Sequence, residues 1–167
     1  MITQKRLKEL LHYAPKTGTF TWLISPRGRT RPGDVAGGPD GHGYYRVQME
    51  GIRYRAARLA WFYVYGCWPT VEVDHINGDR SDNRIKNLRE ATRAQQNQNL
   101  GIGLRNKTGI LGVSWNKERK KWRAEIKIDN KSICLGRYRN IDDARAAYLK
   151  AKAKYHKFQP TIREHHP

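Results

Sequence analysis

Cysteine is scarce in this chain: Cys67 and Cys134 are the two among 167 residues. They stand far apart and form no C-x-x-C pair, which argues against a structural zinc site and a disulfide framework. A reducing, intracellular setting, cytoplasmic in its host cell, fits that usage. There is also no apolar run near the ~18 residues that a membrane-spanning helix needs. No basic amphipathic helix with a bulky apolar face appears, so a membrane-surface role is excluded as well. Met1 leads into a charged, helix-like segment, which predicts no signal peptide. Acid is the other shortage: 15 Asp and Glu face 33 Lys and Arg, for a net charge of +18 and a pI of ≈ 10.3. Charge of that size attracts polyanions and speeds their capture. It is spread along the chain without a homopolymeric run, so the expected partner is nucleic acid.

What is present divides into two modules. A helix is expected from Thr3, its N-cap, to about Tyr13, with Leu7, Leu10 and Leu11 as its apolar face. Pro15 and Gly18 end it, and Gly18 to Ile24 alternates like a strand. Ser25 to Gly43 reads as loop with a brief strand near Val35. Tyr44–Glu50 and Ile52–Ala56 form a hairpin about Glu50-Gly51. A helix over Arg58–Tyr65 is closed by Gly66. Strands follow at Val71–Ile76 and Lys86–Ala91. Thr92-x-x-Gln95 is a capping box that opens a helix to about Leu100. Residues 101–108, rich in Gly, Asn and Lys, are a linker. Beyond it come three strands, with Lys121–Ile128 alternating strictly and a turn at Asp129 to Lys131. A helix is then capped by Asn140, with Asp142 and Asp143 at its positive end. Ala144, Ala147, Tyr148, Ala151 and Tyr155 make its apolar stripe, and Pro160 onward reads as frayed. The fold class is α+β, with modules at 1–100 and 109–160.

The stretch 71–100 carries the chemistry. Hydrolysis of a phosphodiester needs a base to deprotonate water and a hard cation to neutralise the phosphate. Histidine has the free pKa that best suits the base at neutral pH, and carboxylate and amide oxygens suit magnesium. Asp74 and His75 are consecutive on a strand, so their side chains diverge unless the strand is ending. Asn77-Gly78 is where it ends. The loop beyond offers Arg80 and Arg84 to DNA phosphates, with Asp79 and Asp82 in solvated Asx turns.

The whole pattern resembles the HNH nuclease motif, the strand–strand–helix (ββα-metal) site of phage homing endonucleases. The matching residues are Val73-Asp74-His75-Ile-Asn-Gly-Asp79, Asn83-Arg84, Asn87-Leu88-Arg89 and Ala91-Thr92-Arg93-Ala-Gln. Gly33-Asp-Val-Ala-Gly and Arg58-Leu-Ala-Trp61 extend the likeness from about Tyr13 to Leu100. The resemblance implies His75 as general base, Asp74 as a metal ligand, and Asn87 as the residue that ties the loop and so positions His75. It places the second metal ligand, an Asn or His in the family, on Gln96, with Asn97 one residue on in reserve. It also implies one divalent ion per site, magnesium or manganese, and a phage or bacterial setting.

The C-terminal module puts Lys121, Arg123, Glu125 and Lys127 on one face of a strand and Trp122, Ala124, Ile126 and Ile128 on the other. Lys117, Arg119 and Lys120 sit in the turn before it. Trp115 could stack on sugars, whereas parity assigns Trp122 to the core. Gly112-Val-Ser-Trp115, Trp122-Arg-Ala-Glu-Ile126, Leu135-Gly136 and Asp143-Ala-Arg-Ala-Ala-Tyr148 resemble the plant ethylene-response-factor (Apetala-type) DNA-binding domain. That likeness implies a three-stranded antiparallel sheet packed on one helix and docked on double-stranded DNA. It brings Ser114, Arg123, Glu125, Lys127, Ser132 and Cys134 to the docking face.

The expected function is a metal-dependent DNA endonuclease that nicks one strand, one site per chain, acting as a monomer. Two alternatives stand beside it. One is a DNA-binding protein with a decayed site, for which the Gln at 96 speaks. The other is an RNA- or ribosome-associated protein, for which charge alone speaks.

Overall fold

The computed structural model describes residues 2–26, 28–103, 106–129 and 131–159. The frayed segment expected from Pro160 and the centre of the turn at Asn130 lie outside them. The chain forms two compact units, Met1–Ala91 and Thr92–Pro167, each an α+β assembly built on small antiparallel sheets. Among the described residues no helix is long and apolar enough to cross a membrane.

In the first unit, α1 spans Gln4–Leu10 and is capped by the Thr3 hydroxyl, which accepts from the Arg6 amide. It is shorter than the sequence suggests. Leu11 is already extended (φ −132°, ψ 140°), and β1 (Leu11–Ala14) pairs antiparallel with β2 (Thr19–Trp22). Leu11 and Tyr13 are buried while His12 is exposed, a period-two pattern hidden inside what reads as a helical face. The Val35 strand is a single bridge to Thr21. A second sheet is ordered β3 (Gly38–Pro39), β4 (Tyr45–Met49) and β5 (Ile52–Arg55). Helix α2 (Ala56–Tyr65) closes on left-handed Gly66.

Leu7, Leu11, Val47 and Leu59 are the large, fully buried side chains here, each contributing roughly 1.5–3 kcal/mol by burial. Phe62 and Trp68 stack at 4.3 Å. This core carries β6 (Glu72–His75) and β7 (Leu88–Ala91). The stretch before β7, Ile85–Asn87, is a 3₁₀ turn instead of the strand start expected at Lys86.

The second unit opens with α3 (Arg93–Gln98), and both arms of the Thr92–Gln95 capping box are formed. Its sheet is ordered β10 (Lys131–Tyr138), β9 (Lys121–Ile128), β8 (Val113–Asn116), with α4 (Ile141–Tyr155) packed on it through Ala144, Tyr148 and Ala151. Tyr155, expected in the stripe, is 44% exposed. Buried Lys152 instead donates to the Gln98 carbonyl at 2.8 Å, and His156 Nε2 bonds to the Lys127 carbonyl at 2.9 Å. Through Gln98, α3 belongs to this unit and not to the strands that precede it in sequence. Asn106 and Thr108, in the expected linker, bond to Ile110 and Val113.

Candidate active site

Strands β6 and β7 pair with Asp74 opposite Arg89 and His75 opposite Leu88. The pleat sends the neighbours apart. The Asp74 carboxylate accepts from Arg89 Nε at 3.0 Å. His75, 5% exposed, is buried on the other side. The strand ends at His75, whose carbonyl accepts from left-handed Gly78 at 2.8 Å.

The loop from Ile76 to Arg84 is short of regular structure but dense in side-chain bonds. Asn87 donates from Nδ2 to Asn77 Oδ1 (2.9 Å) and to the Asp82 carbonyl (2.8 Å), and its Oδ1 accepts from the Asn77 amide (3.0 Å). Its own carbonyl accepts from the Ile76 amide. Asp79 forms the expected Asx turn, accepting from the Ser81 amide at 2.8 Å. Asp82 forms one too, but covered by the Arg84 side chain instead of open to solvent. It is nearly buried, ion-paired with Arg84 through both carboxylate oxygens, and it accepts from Asn77 Nδ2. The Arg84 guanidinium holds its carboxyl below the usual range. Arg84, expected on phosphate, is thus committed to this acid. Arg80 donates to the His42 carbonyl at 2.9 Å and lies 4.9 Å from the centre of the Tyr44 ring.

Asn83 connects the base to the rest of the unit. It is 3% exposed. Its Nδ2 donates to the Ser81 carbonyl at 3.0 Å, so its Oδ1 faces His75 Nε2, 3.2 Å away. An oxygen there accepts a hydrogen bond, so Nε2 carries the proton and the lone pair of neutral His75 is on Nδ1. The Asn83 carbonyl in turn accepts from the buried Tyr13 hydroxyl at 2.7 Å. Burial lowers the His75 pKa, opposed by the Asn83 bond and by the charges of Asp74, Asp79 and Asp82. The neutral, proton-accepting form is therefore favoured at pH 7. Sequence reasoning gave Asn83 no role beyond its motif; its signal, an Asn beside the loop acid and four residues before Asn87, was present. Tyr44, whose ring centre is 6.2 Å from that of His75, had no sequence signal.

Among the described residues no three of His, Cys, Asp and Glu cluster as metal ligands. A magnesium-type ion keeps several waters and needs only one or two carboxylates besides substrate oxygens. Asp74 is such a carboxylate, a hard oxygen donor whose chemistry suits magnesium or manganese. On α3, Gln96 is half-buried and Asn97 is exposed.

On the second unit's sheet, the registers Ser114↔Arg123, Cys134↔Glu125 and Ser132↔Lys127 place those six residues on one face, as expected. Glu125 ion-pairs with Arg123 on that face, and Lys127 is exposed. A groove of ≈ 790 Å³ runs between Ser114, Arg123 and Lys127 on the sheet and Asn97 and Leu100 at the end of α3. Trp115 sits opposite Trp122, on the helix side of the sheet, and meets it edge to face at 4.9 Å. In the turn before β9, the Arg119 amide is held by Asn116, and Lys117, Arg119 and Lys121 are solvent-accessible.

Comparison with known proteins bears on the first part of this picture. A solved structure titled "DNA binding and cleavage by the HNH homing endonuclease I-HmuI" is similar over 94% of this chain and 87% of that one, at 18% identity and a TM-score of 0.43. Protein 3.8 of Escherichia phage T7 is 34% identical over 59 residues, 35% of this chain. The chain spans about half the length of that relative, 49%. Residues 54–98, from β5 to α3 and with Asp74, His75 and Asn87 among them, match the family model of the HNH endonuclease.

Proposed function

We propose that the protein is a metal-dependent endonuclease that hydrolyses one strand of double-stranded DNA. The observation that carries this reading is the buried His75, its Nε2 3.2 Å from Asn83 Oδ1, next to Asp74 within the matched HNH segment. His75 acts as general base and takes the proton of the attacking water on Nδ1. Asn87 clamps the loop that sets the orientation of the imidazole. Asp74 and, by the sequence pattern, Gln96 would hold one magnesium or manganese ion, which when bound supplies charge neutralisation at the phosphate.

The functional division follows the sequence: a nuclease module over 1–100, a connection over 101–108, and an Apetala-type DNA-binding module over 109–160. In the last, Lys117, Arg119, Lys121, Arg123 and Lys127 contact backbone phosphates. Glu125 sits among them as a partner for Arg123 and for bases. Phosphate contacts supply affinity, and a few base contacts supply choice of site. One site per chain means a nick by a monomer.

The test is supercoiled plasmid incubated with purified protein and magnesium or manganese. Open circles are expected from the wild type, and none from His75→Ala, which still binds DNA. A wild type that binds DNA well yet leaves the plasmid supercoiled sinks the proposal. A second reading, a DNA-binding protein whose site has decayed, is favoured by the Gln at 96. Gln96→Asn distinguishes the two, since a large rise in nicking marks a weakened enzyme and no change at zero activity marks a lost one.

A further inference from the structure

Three arginines and one acid gather around the segment that carries Tyr44. Arg46 and Arg55 are directly opposed across β4 and β5, an arrangement that destabilises a sheet unless something compensates. Asp40 compensates Arg46 alone: its carboxylate accepts from Arg46 Nε at 2.6 Å and has its pKa lowered to about 2, mainly by that bond. The same carboxylate accepts from the His42 and Tyr44 amides at 2.8 and 3.0 Å and so fixes the backbone that carries the Tyr44 ring. Against that ring lie two further guanidiniums, Arg55 at 4.5 Å and Arg80 at 4.9 Å from its centre. Arg80 is also tied to the His42 carbonyl. Among the described residues neither Arg55 nor Arg80 pairs with a carboxylate. Two uncompensated cations are thus held on one aromatic platform whose ring centre is 6.2 Å from that of His75.

We propose that Arg55 and Arg80, held against Tyr44, form a clamp for one backbone phosphate of the DNA beside His75. The guanidinium is the side chain best matched to a phosphate, offering a planar fork of donors. An aromatic face attracts a guanidinium without neutralising it. The platform therefore keeps both charges in place for an anion. The inference rests on the nuclease reading for the meaning of its position, but its test does not depend on cleavage.

Binding is measured on His75→Ala protein in EDTA, by anisotropy of a labelled duplex across a salt series, with the melting temperature of each variant read alongside. Removal of one phosphate contact lowers the log–log salt slope by about 0.9. The Arg55→Ala/Arg80→Ala double variant should show that loss, and so should Tyr44→Ala, which removes the platform. Tyr44→Phe keeps the ring and should keep the slope. In the catalytically intact background the double variant should also nick more slowly at saturating DNA. An unchanged slope in the double variant, whether or not its melting temperature falls, reduces the cluster to a structural stack and overturns the clamp. A lowered slope beside a wild type that never nicks leaves the clamp standing and removes the nuclease reading. No measurable DNA binding by the parent removes both.

Discussion

Gly18 lies in the turn between β1 and β2, remote in sequence from the base, yet its replacement should disable the site. Its φ is +77°, and a Cβ built on it would meet the Arg84 amide nitrogen at 2.4 Å and the Asn83 carbonyl carbon at 2.5 Å. Both are backbone atoms of the loop whose Asn83 faces His75, so no flexible side chain can swing away. Gly51, in the β4–β5 turn, has nearly the same conformation (φ +80°) and open space around it. Gly51→Ala should therefore cost only the left-handed strain of a residue with a Cβ, about 1–2 kcal/mol. Gly18→Ala adds displacement of a packed backbone, about 1–3 kcal/mol more. The entropy that alanine removes from the unfolded chain is common to both and cancels in the comparison. Urea unfolding gives the two losses, and plasmid nicking gives the functional one. Gly18→Ala should be the less stable by at least about 1 kcal/mol, and its residual folded fraction should nick poorly because Asn83 has moved off the imidazole. Equal stabilities in the two variants, or a Gly18→Ala protein that nicks at the wild-type rate, would refute the coupling of this turn to the base.

Tyr13→Phe keeps the aromatic packing on Phe20 and Tyr63 but strands the Asn83 carbonyl; a loss of about 1–3 kcal/mol is expected from urea unfolding. Burial pushes the Tyr13 hydroxyl up to about 12, so its contribution is complete below pH 10 and is lost as pH rises through 12. The same variant should remove the last step of a tyrosinate absorbance titration. His75 has its pKa lowered by burial, so stability from its neutral form is present above the unfolded value near 6.5 and lost as pH falls through the folded one. The acid limb of nicking should accordingly lie below about pH 6.5, and a limb above 7 would contradict a buried neutral base. Thr92→Ala removes the capping box of α3 and should cost about 1 kcal/mol, measured by thermal unfolding, with a matching fall in helical signal.

Local rules carried much of the architecture. The Thr3, Thr92 and Asn140 caps, the Gly66 stop and the strict alternation of β9 were readable because each depends on neighbours within four residues. Leu11–Ala14 was misread because Leu7, Leu10 and Leu11 also suit a helix. The pairing partner that decides the matter, Thr19–Trp22, lies beyond the turn, with Leu11 registered on Trp22 and Ala14 on Thr19. The Asp74–His75 pair and the three-bond anchor of Asn87 were legible as a motif. Asp82 was legible only in part, since an Asx turn open to solvent and one covered by the Arg84 side chain share one sequence. The Tyr44 platform had no local signature at all, because its arginines come from β5 and from the loop after β6.

The membership of α3 has a consequence for how such proteins can be taken apart. The matched HNH segment runs from 54 to 98, yet the compact unit that holds its strands ends at Ala91. Helix α3 is bolted to the end of α4 through Gln98 and Lys152. A gene fusion cut at the physical joint would hand Gln96 to the new tenant and leave the base behind. Cut after the helix, it would keep the motif whole but strip α3 of its anchor. Exchange of the C-terminal half between relatives is thus constrained to pairs that preserve this attachment, and chimeras built with and without the Lys152 contact would show that rule as a difference in yield of folded protein.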